Sequence, residues 1–212
     1  PGVVAVVGSG GKTTLLEFLG RSLAKKHRVL LCTTTKIYPF PNLPCARNEK
    51  ELDALRETCA LLCAGTPIPG SGGKLGPLKL SMEELAKRFD YVLVEADGSH
   101  GLPLKAHSSK EPVFPMPDTQ TITVVGASGF GQPIRDVVHR PEQYAKLAGA
   151  DLDAIVTPEM EAAVLKAEGL GQTVLVNQVD SPERMESAKA LAKALKHPVL
   201  AGSLWKGGLI RC

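Results

Sequence analysis

Apolar runs of strand length alternate with stretches of helical period along almost the whole chain. Val3 to Val7, Val29 to Thr33, Tyr91 to Glu95, Thr121 to Val125, Ala154 to Val156, Thr173 to Asn177 and Val199 to Ala201 read as strands. Their richness in Val, Ile and Leu is that of strands buried on both faces. Helical patterning covers Thr13 to Lys26, Glu49 to Cys63, Met82 to Arg88, Glu142 to Leu147, Pro158 to Ala167 and Glu183 to Lys196. Two of these carry a start signal, Thr157 before Pro158 and Ser181 before Pro182: a capping hydroxyl, then a proline at the first helical position. The alternation predicts an α/β fold with a mostly parallel sheet flanked by helices. A length of 212 residues suits one such domain. Pro- and Gly-rich irregular insertions are expected at Tyr38 to Ala46, Gly65 to Lys79 and Asp97 to Pro117.

Composition narrows the classes of partner. With 25 basic and 22 acidic residues the formal charge is +3, too small a field to draw the surface to nucleic acid or to an anionic membrane. No apolar run reaches membrane-span length and nothing at the start reads as a signal peptide. The five cysteines include no C-x-x-C pair, so the sequence writes neither a disulfide framework nor a zinc site, and a reducing cytoplasm is the expected compartment. Cys59 and Cys63 are the pair expected to share a helical face, at i and i+4.

The strongest chemical signal is Val7-Gly8-Ser9-Gly10-Gly11-Lys12-Thr13-Thr14, a glycine loop between an apolar strand and an amphipathic helix. Glycines let the backbone curl until successive N–H groups point inward, and the helix start adds its own unpaired N–H groups and positive dipole end. Lys12 is expected on the β- and γ-phosphates of a nucleoside triphosphate and Thr13 on Mg²⁺. The usual loop has a glycine five residues before Gly11, where this chain has Val6, so this is a shortened form, similar to that of the amide-forming ATP ligases. With strand before and helix after, the fold expected is a three-layer P-loop NTPase-like sandwich.

Asp90 to Ser99 delivers Glu95 and Asp97 to the carboxyl edge of a strand, where open α/β sheets place their ligands. Spaced two apart, they would share a face and serve as metal-holding and nucleophile-orienting groups. Lys36, after Thr33-Thr34-Thr35, is a candidate cation for the γ-phosphate. Asn177-Gln178-Val179-Asp180 is close to the N-K-x-D of GTP-binding proteins, in which the Asp reads guanine and the Asn fixes the loop. Gln in place of Lys leaves both ATP and GTP open, and a turn capping the next helix is the plain alternative.

Together with Leu102-Pro103-Leu104-Lys105-Ala106, Glu111-Pro112-Val113 and Val138-His139-Arg140, these motifs resemble the accessory proteins of selenium-dependent molybdenum hydroxylases, the selenium cofactor biosynthesis proteins of the YqeC type. The Glu-Ala-Asp-Gly-Ser to Pro-Leu-Lys-Ala run is the distinctive part. The resemblance implies a cytoplasmic P-loop protein that matures those hydroxylases, with the hydroxylase or its cofactor as partner. Lys105, Glu111, His139 and Arg140 are then expected around a second substrate. Three mechanisms stay open: an NTPase or NTP-dependent transferase in which Lys12, Lys36, Glu95 and Asp97 are catalytic, a nucleotide switch with little turnover, and an ATP-dependent ligase.

Overall fold

A computed structural model describes residues 2–117 and 119–212. They form two compact units. The first gathers the chain up to Val6, Thr13–Asp97 and Val113–Gln120, and the second Val7–Lys12, Gly98–Pro112 and Thr121–Cys212.

In the first unit the elements run β1 (Gly2–Gly8, shared with the second unit from Val7), α1 (Lys12–Leu23), β2 (Val29–Thr33), β3 (Cys45–Ala46), α2 (Glu49–Thr58), β4 (Leu61–Ala64), β5 (Thr66–Pro67), β6 (Leu75–Gly76), α3 (Met82–Arg88) and β7 (Tyr91–Glu95). Strands β1, β7, β2, β4 and β3 lie in that order, all parallel. The small antiparallel pair β5–β6 stands apart. Every residue of β2 is buried, because both of its faces are covered. On one face Leu30, Cys32, Leu62, Ala64, Val92 and Val94 pack with Leu52 of α2 and Leu85 of α3. On the other, α1 comes so close that a methyl group added to Gly20 would sit 3.0 Å from the side chains of Leu31 and Leu61. The three layers expected from the alternation are therefore present here.

Helix starts follow their local chemistry. The Asn48 side chain accepts from Glu51 N at the head of α2, and Ser81 and Glu84 close a reciprocal capping box on α3.

The second unit holds β8 (Leu104–Lys105), β9 (Gln120–Gly126), α4 (Ile134–Val137), β10 (Val138–His139), α5 (Pro141–Ala148), α6 (Pro158–Ala167), β11 (Val174–Asn177), α7 (Pro182–Leu195), β12 (Leu200–Ser203) and β13 (Gly208–Arg211). Strands β9, β11 and β12 are parallel, and β13 closes the row antiparallel to β12. Thr157 and Ser181 cap α6 and α7, accepting from Met160 N and Arg184 N, with Pro158 and Pro182 following as expected.

Three expectations are corrected. The helix over Glu49 to Cys63 stops at Thr58, and Leu61–Ala64 is strand β4, paired with β2 through Val29↔Leu61, Leu30↔Leu62 and Leu31↔Cys63. A four-residue apolar run fits either period, and here long-range pairing decides it. Cys59 and Cys63 therefore share no helical face: Cys59 caps the helix in extended conformation and Cys63 lies on the strand. Ala154 to Val156 is no sheet strand. It makes a single bridge, Pro133↔Ile155, and leaves Ile155 half exposed.

The stretches expected to be irregular are also partly ordered, containing β3, the β5–β6 pair and β8 respectively.

Candidate functional site

The glycine loop is shaped by contacts within the second unit. Gly8, Gly10 and Gly11 all have positive φ, at 91°, 84° and 127°. A Cβ on Gly8 would lie 2.2 Å from Val124 O and one on Gly10 2.4 Å from Gly126 Cα, so only glycine satisfies both the turn and the close approach. Ser9 N donates to Val124 O at 2.9 Å. The Ser9 hydroxyl is buried and without a hydrogen-bond partner among the described residues, an unmet polar group of the kind a ligand oxygen satisfies. Lys12, 4% exposed, folds back so that Nζ donates to Gly8 O at 2.8 Å.

Asn177, at the end of β11, grips this loop. Its Nδ2 donates to Gly10 O at 2.8 Å and its Oδ1 accepts from Leu204 N at 3.1 Å. Both ends of the amide are thus engaged with backbone. Gln178 takes the left-handed conformation, φ 63°, and its Oε1 accepts from Ser128 Oγ at 2.6 Å. Asp180 stays near the surface, 3.4 Å from Arg184 Nη1 and 3.7 Å from Lys206 Nζ. Sequence reading missed Leu204, Val124 and Gly126 as supports of the loop, since all three act through backbone atoms that carry no side-chain signature.

In the first unit, Thr13 begins where the loop ends. Its Oγ1 donates to Glu95 Oε2 at 3.0 Å. Glu95, only 7% exposed, ends β7, and its carbonyl accepts from Thr33 Oγ1 at 2.8 Å and Thr34 N at 3.1 Å. The threonine run after β2 is thereby tied to the acidic strand end. Asp97 is fully buried and lies two residues past the end of β7, so the alternation that would put it on the Glu95 face stops short of it. Lys36 is exposed.

A hydroxyl and a carboxylate oxygen within one hydrogen bond form an all-oxygen donor set, which fits Mg²⁺, a cation held through one or two carboxylates plus substrate phosphates. Among the described residues no group of three or more His, Cys, Asp and Glu side chains forms a metal cage.

The four residues expected at a second substrate do come together, within the second unit. Parallel pairing of β8 and β10 sets Lys105 opposite His139. Lys105 Nζ donates to Gly98 O at 2.6 Å and lies 3.3 Å from Glu111 Oε2, an oxygen that Arg140 Nη1 also meets at 2.9 Å. Burial alone would raise the Glu111 pKa, but Lys105 and Arg140 outweigh it and hold the carboxyl below its ordinary value. His139 stacks on His100 with ring centroids 4.5 Å apart. Burial, and then the positive charge of Arg140, push its pKa down to about 4. His100 carried no signal in the sequence.

At the other end of the first unit's strands, a cleft of 770 Å³ is lined by Lys25, Arg28, Arg56 and Lys87 among others and contains none of the expected site residues.

These features define an α/β protein with a glycine phosphate-loop motif between its first strand and first helix. The chain matches the YqeC protein family model over residues 4–142. It is 31% identical, over 227 aligned positions, to the uncharacterized protein YqeC of Escherichia coli strain K12, covering 99% of this chain and 88% of that protein. The chain belongs to the YqeC family. Among solved structures, the MinC:MinD cell division protein complex of Aquifex aeolicus superposes with a TM-score of 0.44 at 16% identity, covering 94% of this chain and 79% of that one. A likeness that loose transfers no function.

Among the described residues no helix is long and apolar enough to cross a membrane.

Proposed function

We propose that this YqeC-family chain binds a Mg²⁺-bound nucleoside triphosphate in Gly8–Thr14 and turns it over, by hydrolysis or phosphoryl transfer, in the cytoplasmic maturation of selenium-dependent molybdenum hydroxylases. One observation carries the reading: the left-handed glycine loop with its orphaned Ser9 hydroxyl and Lys12 resting on the Gly8 carbonyl. A phosphate oxygen is a stronger acceptor for an ammonium than a neutral carbonyl, so Lys12 exchanges Gly8 O for the β- and γ-phosphates. Backbone N–H groups of the loop and the start of α1 receive the remaining oxygens. Thr13 and Glu95 hold Mg²⁺, with Asp97 as a further acidic group. When bound, the ion neutralises phosphate charge and orients the leaving oxygens. Lys36 is the second cation for the γ-phosphate.

Asn177 acts in this scheme by holding Gly10 in place, and Asp180 is the group assigned to the base, adenine or guanine. For the second substrate, His139 and Arg140 supply the contact groups. Lys105, nearly fully buried, acts with Glu111 to hold them.

Titration of the purified protein with ATP, GTP and CTP in the presence of Mg²⁺ tests the proposal. Wild type is expected to bind ATP or GTP and to release phosphate, and Lys12→Ala to lose on the order of 100-fold in affinity, the worth of a charge-assisted contact in a shielded site. Equal binding by Lys12→Ala, or no binding by wild type, overturns it. Binding without phosphate release rejects turnover and leaves a nucleotide switch.

A further inference from the structure

The five cysteines are not equivalent. Cys45 and Cys63 are direct Cα partners on the adjacent parallel strands β3 and β4. The next pair in register, Ala46 and Ala64, points into the core beside Leu52 and Leu62. Alternation along a strand therefore turns both cysteine side chains to the opposite face together. Partnered residues on neighbouring strands lie about 5 Å apart, within the separation a disulfide spans without moving the backbone. Backbone bonds on either side fix the register, from Cys63 N to Pro44 O at 2.9 Å and from Gly65 N to Ala46 O at 3.0 Å. Strand β3 ends the row, which leaves Cys45 half exposed while Cys63 is 3% exposed.

We infer that Cys45 and Cys63 form a redox-active dithiol that closes to a disulfide by exchange with a small disulfide such as oxidised glutathione. Cys45, the accessible thiol, gives up its proton and attacks one sulfur of the reagent, forming a mixed disulfide and expelling one thiolate. Cys63 then attacks the Cys45 sulfur and expels the second. The protein loses two thiol hydrogens and two electrons, and one reagent disulfide is reduced to two thiols.

The two sulfurs are also linked electrostatically. The Cys45 S–H donates to the Cys63 sulfur, which draws the Cys63 pKa down to about 7 and pushes that of Cys45 up. The pair thus keeps a proton on the accessible Cys45 sulfur, which must leave before Cys45 can attack. Cys32, by contrast, is pushed up to about 12 by burial alone. Cys212 lies against Met185 Sδ at 3.7 Å.

The test is thiol counting and peptide mapping of the intact protein after exposure to oxidised glutathione. Two of the five thiols are expected to disappear without retained glutathione, the mass to fall by two hydrogens, and the Cys45 and Cys63 peptides to appear cross-linked. Cys63→Ser is expected to retain glutathione on Cys45, and Cys59→Ser to close as wild type does. Closure in wild type should accelerate as pH rises, because the attacking Cys45 thiol, whose pKa Cys63 holds up, must first lose its proton. Unchanged thiol number, a stable mixed disulfide in wild type, or a bridge mapped to any other pair overturns the inference. Mapping on wild type decides it even where a variant folds poorly.

Discussion

Two lysines of the second unit are withdrawn from water to the same extent, each 4% exposed, and they are held in different ways. Lys12 Nζ rests on the carbonyl of Gly8, inside a loop whose glycines are in left-handed conformation. Lys105 Nζ donates to Gly98 O and pairs with Glu111, whose same oxygen is shared with Arg140. A neutral carbonyl yields an ammonium to an arriving phosphate. A carboxylate clasped by two cations does not, because separating them leaves charge stranded away from water. The contact of Lys12 with Gly8 O is thus exchangeable, and that of Lys105 with Glu111 is a lock. In the sequence Lys12 is marked by the glycine loop before it, whereas Lys105 enters through the family resemblance.

The lock is where the largest loss of stability is expected. Glu111→Gln leaves Lys105 buried beside a neutral amide, and breaking such a pair costs about 3 kcal/mol, or on the order of 10 °C in Tm for a chain of this size. Thermal melts check it. Combining Glu111→Gln with Lys105→Met should recover part of the loss, since the stranded charge is removed as well. A double variant no more stable than Glu111→Gln would mean that the pair is not what holds β8 to β10. The pH response has a definite sign. The folded-state pKa of Glu111 lies below its ordinary 4.5, so the pair's contribution is present above about pH 4.5 and fades as pH falls through the folded value. In the Gln variant this acid loss is expected to be missing.

On the side of the exchangeable contact, Asn177→Ala is expected to act less on stability and more on the ligand. It strands Gly10 O and Leu204 N, two backbone groups worth about 1–3 kcal/mol when left unpaired. Nucleotide affinity should fall about tenfold as the loop loosens. The comparison breaks down if Asn177→Ala matches Glu111→Gln in Tm loss and leaves nucleotide binding untouched.

How much of this could be read from the sequence depended on the range of the interaction. The glycine loop, Lys12, Thr13 and the Thr157 and Ser181 caps are local patterns, in which the residues that act are neighbours in the chain. Glu95 was legible because a strand end announces its edge. The grip of Asn177 on Gly10 was legible only as a likeness to N-K-x-D, not as a named contact, since the two are far apart in sequence and meet only through strand order. The cysteines show the limit most plainly. Helical spacing pointed to Cys59 with Cys63, but Leu61–Ala64 gains more by pairing with β2 than by extending α2, and that choice moves Cys63 beside Cys45. Short apolar runs leave period ambiguous, and register, which fixes contacts across a sheet, is written in no single segment.

The smallest effect separates the lock from its surroundings. His139 stacks on His100 and stands among Arg140, Lys105 and Glu111, where a further positive charge is resisted by burial and by two cations and favoured by only one carboxylate. Its folded pKa of about 4 lies below the ordinary 6.5. Between those values the unfolded chain takes up the proton more readily than the folded one, so stability falls as pH drops from about 6.5 to about 4 and this group adds no further loss below that. The Glu111 loss begins lower, so the two windows can be told apart in one series of melts. His139→Asn is expected to flatten the slope between pH 6.5 and 4.5 by a small amount, because the ring is only half buried, while leaving the steeper fall below pH 4.5 in place. If the upper slope is unchanged in His139→Asn, the histidine is not held neutral by the cluster, and Arg140 together with Lys105 exerts less field at the ring than the geometry implies.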